Sequence, residues 1–233
     1  DIYEKRNLAE LINRLSEVEG IEWIRLMYVY PSHIPDDLID VMANNPKVCK
    51  YIDIPLQHIS DDVLRSMRRG ITKRRTVETL NALREKIPGV TVRTTFIVGY
   101  PNETKEHFDE LCDFVKESKF DRIGVFTYSV EENTPSYLLG DPVPGKEKLR
   151  RKNKLMKIQQ SISHEKNLSL IGKELRIVVE GREGDYYIGR SYRDAPEVDG
   201  EVLIPVKNKM LKVGKFYNAV IFDCNEYDLF ANV

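Results

Sequence analysis

Apolar residues recur along this chain in two rhythms, and the change from one to the other marks out its elements. Runs rich in β-branched and aromatic residues at 23–30, 51–57, 91–98 and 122–129 read as strands. Between these runs the apolar positions fall three or four apart. Leu8, Leu11, Ile12, Leu15 and Val18 make such a stripe, which predicts a helix turned toward the core and stopped by Gly20. Pro35-Asp36-Asp37 and Ser60-Asp61-Asp62 have the composition of helix N-termini, and Arg68-Arg69-Gly70 that of a helix end. A helix over 73–86 leads through Pro88-Gly89 into the third strand. Another begins at Thr104, with Phe108, Leu111, Phe114 and Val115 on one face. A long basic helix spans about 146–170, with Leu149, Met156, Ile158 and Ile162 predicted inward. Its seven Lys/Arg residues from Lys146 to Lys157 form either a solvated face or a contact surface.

Strands that alternate with helices imply parallel pairing through helical crossovers, hence an α/β fold. In such sheets and barrels the chemistry collects at the carboxyl ends of the strands. Here those ends are Tyr30-Pro31, Gln57-His58, the 99–103 turn and Tyr128-Ser129. After Gly172 the helical rhythm stops. Short runs at 175–180, 186–190, 200–205, 216–222 and 227–232, separated by Gly- and Asp-containing turns, read as a small five-stranded barrel of the oligonucleotide-binding type. The expected domains are therefore 1–171 and 172–233.

Charge and cysteine content narrow the class. The net charge is −1, and the residues after Gly172 carry eleven acids against nine bases. A phosphate-binding module relies on clustered Lys and Arg, an excess this part lacks. Three cysteines far apart, Cys49, Cys112 and Cys224, fit neither a disulfide framework nor a metal-ligand spacing, so a cytoplasmic setting is expected. No apolar stretch has the length of a membrane span, and a first residue Asp1 suggests a start inside a longer protein.

Common strand-end chemistries do not fit these positions. A Schiff-base aldolase needs a strand lysine and a zinc hydrolase needs grouped histidines and carboxylates; neither pattern is present. Gln57 offers an amide donor and a carbonyl acceptor suited to sugar hydroxyls, and Ser60 is either a helix cap or a second polar contact. Gly99 lets backbone approach a ligand, Pro101 fixes the turn, and the helix amides after Thr104 could meet a polar group. Arg93, inside an apolar strand, needs a partner such as Asp53, Glu131 or a ligand carboxylate. These positions suit a nucleoside-like cofactor better than acid–base hydrolysis.

Taken together, Tyr-Val-Tyr-Pro (28–31), Asp-Ile-Pro-Leu-Gln-His (53–58), Arg-Thr-Thr-Phe-Ile-Val-Gly-Tyr-Pro-Asn-Glu-Thr (93–104) and Asp-Arg-Ile-Gly-Val-Phe-Thr-Tyr-Ser (121–129) resemble the radical S-adenosylmethionine methylthiotransferases. The closing domain resembles a TRAM domain. Pro-Leu-Gln-His and the Gly-Arg-Ser-Tyr-Arg-Asp-Ala-Pro-Glu-Val-Asp-Gly segment (189–200) are similar to the branch that modifies an aspartate of a small-subunit ribosomal protein. The resemblance implies a partial TIM-like (β/α) barrel followed by the small β-barrel. It also implies S-adenosylmethionine as cofactor and two 4Fe–4S clusters, whose cysteine ligands would lie upstream of Asp1. This piece alone would then be inactive, with no catalytic residue and no metal ligand of its own. Cofactor contacts carried over by position are Gln57, Ser60, Arg93, Gly99, Pro101, Glu103, Phe126, Tyr128 and Ser129. The acidic balance after Gly172 favours a basic ribosomal-protein partner over RNA, with Asp194, Glu197, Asp199 and Asp228 as candidate contacts. A tRNA adenosine methylthiotransferase of the same family, or a binding module alone, are the alternatives.

Overall fold

The computed structural model describes residues 7–31, 34–206 and 210–233; Lys207 and Lys209, two of the bases counted above, lie outside them. Contacts divide the chain into two compact units, 1–159 and 160–233.

The first unit runs α1 (Leu8–Glu17), β1 (Ile24–Leu26), α2 (Asp36–Asn44), β2 (Val48–Gln57), α3 (Asp61–Ser66), α4 (Lys73–Lys86), β3 (Thr91–Val98), α5 (Lys105–Ser118) and β4 (Arg122–Thr127). A 3-10 turn (Pro135–Leu139) and α6 (Gly145–Leu168) follow, the latter continuing into the second unit. The four strands are parallel and lie side by side in chain order. Right-handed crossovers between strands laid down in order place every helix on one face, the rule of a barrel wall rather than a doubly wound sheet. The burial of β3 shows both faces. Val92, Phe96 and Val98 are fully buried, whereas Arg93, Thr95 and Ile97 are half-buried on the opposite, inner face. Phe96 meets Phe114 of α5 and Phe120 edge-on, at centroid distances of 6.4 and 6.0 Å, which locks helix to sheet.

Three expectations change. The first strand is only three residues long, because Tyr28 takes a left-handed backbone (φ 57°). The amides of Tyr28 and Val29 then bond to the Asp53 carboxylate and carbonyl instead of continuing a ladder. Along α1 only Ala9 and Ile12 are buried; Leu8, Leu11, Leu15 and Val18 stay 38–52% exposed. In α6 Leu149 is exposed, while Lys148, Arg151, Leu155 and Gln159 are inside.

The second unit is a closed barrel of β5 (Glu174–Glu183), β6 (Tyr186–Ser191), β7 (Val202–Pro205), β8 (Phe216–Cys224) and β9 (Leu229–Asn232), in the order β5-β6-β7-β9-β8. Period-two alternation sends Ile177, Val179, Val202, Ala219, Ile221 and Ala231 into its core, each fully buried. Closure by the parallel β7–β9 pair removes the sheet edges.

Candidate functional site

At the carboxyl ends of β2, β3 and β4 lies a cavity of about 640 Å³. Gln57, Ile97, Phe126, Tyr128 and Ser129 line it from the sheet, and the segment 66–69 at the end of α3 lines it from the side. A register irregularity between Ile54 and Gln57 ends β2, and Gln57 itself has φ 71°. A left-handed conformation at a residue with a side chain costs about 1–2 kcal/mol, and such strain gathers at functional sites. The Gln57 Oε1 atom is buried and has no hydrogen-bond partner among the described residues. A buried orphan acceptor in a cavity wall calls for a ligand donor. Phe126 is 58% exposed, its ring on the inner face one residue from the end of β4. Tyr128 is held by an edge-on contact with Tyr100 (5.1 Å) and donates from its hydroxyl to the Ser136 carbonyl (3.2 Å).

Thus Gln57, Phe126, Tyr128 and Ser129 share one cavity, and the other sequence candidates stand outside its lining. Ser60 is buried, and its amide donates to His58 Nδ1 (3.0 Å). Arg93 lies lower on the inner face, with Nη1 3.1 Å from Asp53 Oδ1, the first of the partners expected for it. Gly99 and Glu103 form the turn behind the cavity. The Gly99 amide donates to the buried Glu103 carboxylate, and Pro101 shapes the loop between them. One of the α5 amides, that of His107, is already taken. Thr104 Oγ1 accepts from the His107 amide and His107 Nδ1 accepts from Thr104, both at 3.3 Å, a reciprocal cap.

Behind the turn is an ion-pair network that apolar periodicity could not reveal. Because Ser60 donates to His58 Nδ1, the imidazole proton sits on Nε2, facing Glu103 Oε1 at 3.5 Å. Arg151 of α6 reaches Glu103 twice, its Nη1 3.0 Å from the carboxylate and 2.9 Å from the carbonyl. Lys148, one turn earlier, donates to the Tyr128 carbonyl (2.8 Å) and to Asp141 (2.6 Å). At the surface end of this network, hydrogen bonds from Arg150 and Arg151 lower the Glu147 pKa from 4.5 to about 2. The folded value lies below the unfolded one, so this stabilisation is present above pH 4.5 and lost as pH falls toward 2. Glu147→Gln should therefore cost less than about 1 kcal/mol at pH 7, the group being solvent-accessible. Urea unfolding of the two proteins should converge as pH falls through that window.

In the second unit the acidic candidates separate. Asp194 is only 1% exposed and accepts from the Ser191 hydroxyl (2.7 Å), so it holds a turn and cannot meet a partner, a correction to the sequence reading. Asp199 accepts from the Ala195 amide and Asp228 from the Glu201 amide, which also ties both into turns. Glu197 remains exposed. A different surface stands out: Tyr186, Phe230 and Phe222 touch in series, with centroids 6.1 and 6.4 Å apart. Nearby, burial followed by repulsion from Asp228, Glu183 and Glu180 raises the Glu201 pKa, marking an acid-rich rim. Alternation within strands hid this patch, because each of its acids reads locally as an outward strand residue.

Among the described residues no three His, Cys, Asp or Glu side chains are grouped to hold a metal ion, and no helix is long and apolar enough to cross a membrane. Cys49 and Cys112 are buried, and burial pushes the Cys112 thiol pKa up.

Residues 3–115 match the radical SAM superfamily, and residues 171–233 match the TRAM domain. Ribosomal protein uS12 methylthiotransferase RimO of Cytophaga hutchinsonii is 50% identical over 233 residues, all of this chain and 53% of the relative. The protein of the same name from Christiangramia forsetii is 51% identical over 230 residues, 99% of this chain and 51% of the relative. Among solved structures, coproporphyrinogen III oxidase (HemN) from Escherichia coli, a radical SAM enzyme, aligns with TM-score 0.49 and 19% identity over 66% of this chain and 35% of that one. The chain spans about half the length of the curated relatives it matches. With both domain matches in place and about half of its residues shared along its whole length, the chain belongs to the radical SAM methylthiotransferase family, RimO type.

Proposed function

We propose that this chain supplies the adenosyl cradle and the substrate-docking barrel of a cytoplasmic methylthiotransferase that places a methylthio group on the β-carbon of an aspartate in ribosomal protein uS12. The observation that carries this reading is the roughly half identity with the uS12 enzymes, which runs through both units without a break in coverage. S-adenosylmethionine, when bound and cleaved by one electron from a reduced iron–sulfur cluster, would supply a carbon radical able to take hydrogen from an unactivated C–H bond. The described residues offer no ligand set for an iron–sulfur cluster, so the longer protein would have to provide the ligands of the two 4Fe–4S clusters.

The cavity residues fit the adenosyl end. Gln57 Oε1, an orphan acceptor, takes a ribose hydroxyl. Phe126 presents an exposed face on which a base can stack. The strand end at Thr127–Ser129 offers backbone groups to the edge of the base, while Ile97 and Tyr100 exclude water beneath it. Arg93 is the candidate for the carboxylate of the cofactor, already oriented by Asp53. Phe126→Ala, at a position 58% exposed, should leave the melting temperature nearly unchanged. It should weaken binding of S-adenosylhomocysteine about tenfold, the value of one lost stacking contact. Full-length protein loaded with iron and sulfide under reducing conditions should yield 5′-deoxyadenosine and a methylthio-modified uS12 aspartate. A fully loaded preparation that yields neither would remove the assignment.

The exposed rings Tyr186 and Phe222, joined by the half-buried Phe230, suit with their acid rim a Lys/Arg-rich segment of uS12, through cation–π and charge contacts. Combining Glu183→Lys, Glu201→Lys and Phe222→Ser should weaken uS12 binding about tenfold or more at low salt. Unchanged affinity by calorimetry would move the docking surface elsewhere.

A further inference from the structure

We infer that the first turns of α6 are the keystone of the adenosyl cradle, with Lys148 and Arg151 as positioning residues for a ligand that neither contacts. This inference rests on the adenosyl reading of the cavity. None of the three strand ends that form the rim is fixed by its ladder alone. The β2 end leaves the sheet at Gln57 with a left-handed backbone, and the β3 end turns at Gly99 with φ 75°. β4 is an edge strand of the described sheet, and after Thr127 a single further backbone bond, from the Tyr128 amide to the Val98 carbonyl (2.9 Å), ties it to β3. Each end is also tied to α6, directly or through one side chain. Arg151 holds Glu103, which accepts the Gly99 amide and faces His58, the neighbour of Gln57. Lys148 donates to the Tyr128 carbonyl, fixing the height of the β4 end where the base would lie. Its alkyl stem also fills the space over Gly99, where any Cβ would overlap Lys148 Cγ.

Both cations are more than nine-tenths buried although they belong to a helix whose sequence reads as a basic surface. Long cationic side chains enter an interior where their stems pack and their heads find fixed acceptors. Here the acceptors belong to the rim, so displacing a head displaces the wall that the ligand touches. A tightly held ligand requires the residues around it to be fixed by such supporting contacts.

Lys148→Met isolates the positioning role. Methionine keeps most of the stem volume, and the abandoned Asp141 carboxylate is 40% exposed and stays hydrated. In the full-length protein with its clusters, calorimetry should show affinity for S-adenosylhomocysteine and for adenosine reduced by the same factor, about tenfold. The melting temperature should stay within a few degrees of wild type. Asp141→Asn, at the solvent side of the same contact, should reduce both affinities roughly threefold without altering the melt. It provides the test should the methionine variant fail to fold. Wild-type affinity in either folded variant would overturn the keystone role, as would a loss seen with S-adenosylhomocysteine but not with adenosine. If the unaltered protein binds neither compound, the adenosyl reading itself is overturned, and this inference with it.

Discussion

Arg151→Met will cost the first unit about 3–5 kcal/mol of folding free energy, the range found when one partner of a buried ion pair is removed. The Glu103 side chain has no exposure and that of Arg151 only 8%, so water cannot replace the lost partner. His58 at 3.5 Å and the Gly99 amide remain, but neither brings the fixed positive charge that Arg151 holds 3.0 Å from the carboxylate. The Glu103 carbonyl loses its donor as well. Urea unfolding at pH 7 measures the effect. Adding Glu103→Leu to the same protein should recover at least about 2 kcal/mol, because an apolar pair leaves no stranded charge. Additive costs in this double-mutant cycle, or a single variant within about 1 kcal/mol of wild type, would mean that the pair does not form in solution.

Such a network shows where sequence reading stops. The helix over 73–86 and the strand over 91–98 follow directly from the chain: Thr72 accepts from the Arg75 amide to start one, and β-branched residues fill the other. The barrel of the second unit was equally legible, since its alternation and turn residues agree throughout. The inward face of α6 was not. Counting apolar residues selects Leu149, which is 54% exposed, and passes over Lys148 and Arg151. Their acceptors, Tyr128 and Glu103, are twenty and forty-eight positions away, beyond any local period. The strand ends lead to the rim of this cavity, yet rim residues divide by a fact invisible in one dimension. Gln57, Phe126, Tyr128 and Ser129 face the cavity, while Ser60, Gly99 and Glu103 hold the backbone behind it.

Gly200→Ala should destabilise the second unit by about 3 kcal/mol, near the upper end of what one added carbon costs in a filled site. For a unit of this size that corresponds to a fall of roughly 12–24 °C in its melting temperature. The cause is backbone, not side chain. A Cβ at position 200 would overlap the Tyr227 carbonyl oxygen and lie 2.8 Å from the carbonyl carbon. That carbonyl cannot swing aside cheaply. The next amide, of Asp228, bonds to Asn225 Oδ1, and the Asp228 carboxylate accepts from the Glu201 amide at 3.0 Å. Leu229 then donates to Glu201 at 2.9 Å and begins the β7–β9 pairing that closes the barrel. Gly181 supplies the control: it lies in β5 of the same unit with nothing within 4 Å of an added Cβ, so Gly181→Ala should stay within about 0.5 kcal/mol. The contrast gives the segment 189–200 a physical meaning beyond family likeness. Asp194 and Asp199 brace its turns, and Gly200 lets the turn before β7 approach the turn before β9. If the two alanine variants melt together, the barrel does not close through this approach. The segment would then have to be explained by what it binds rather than by what it builds.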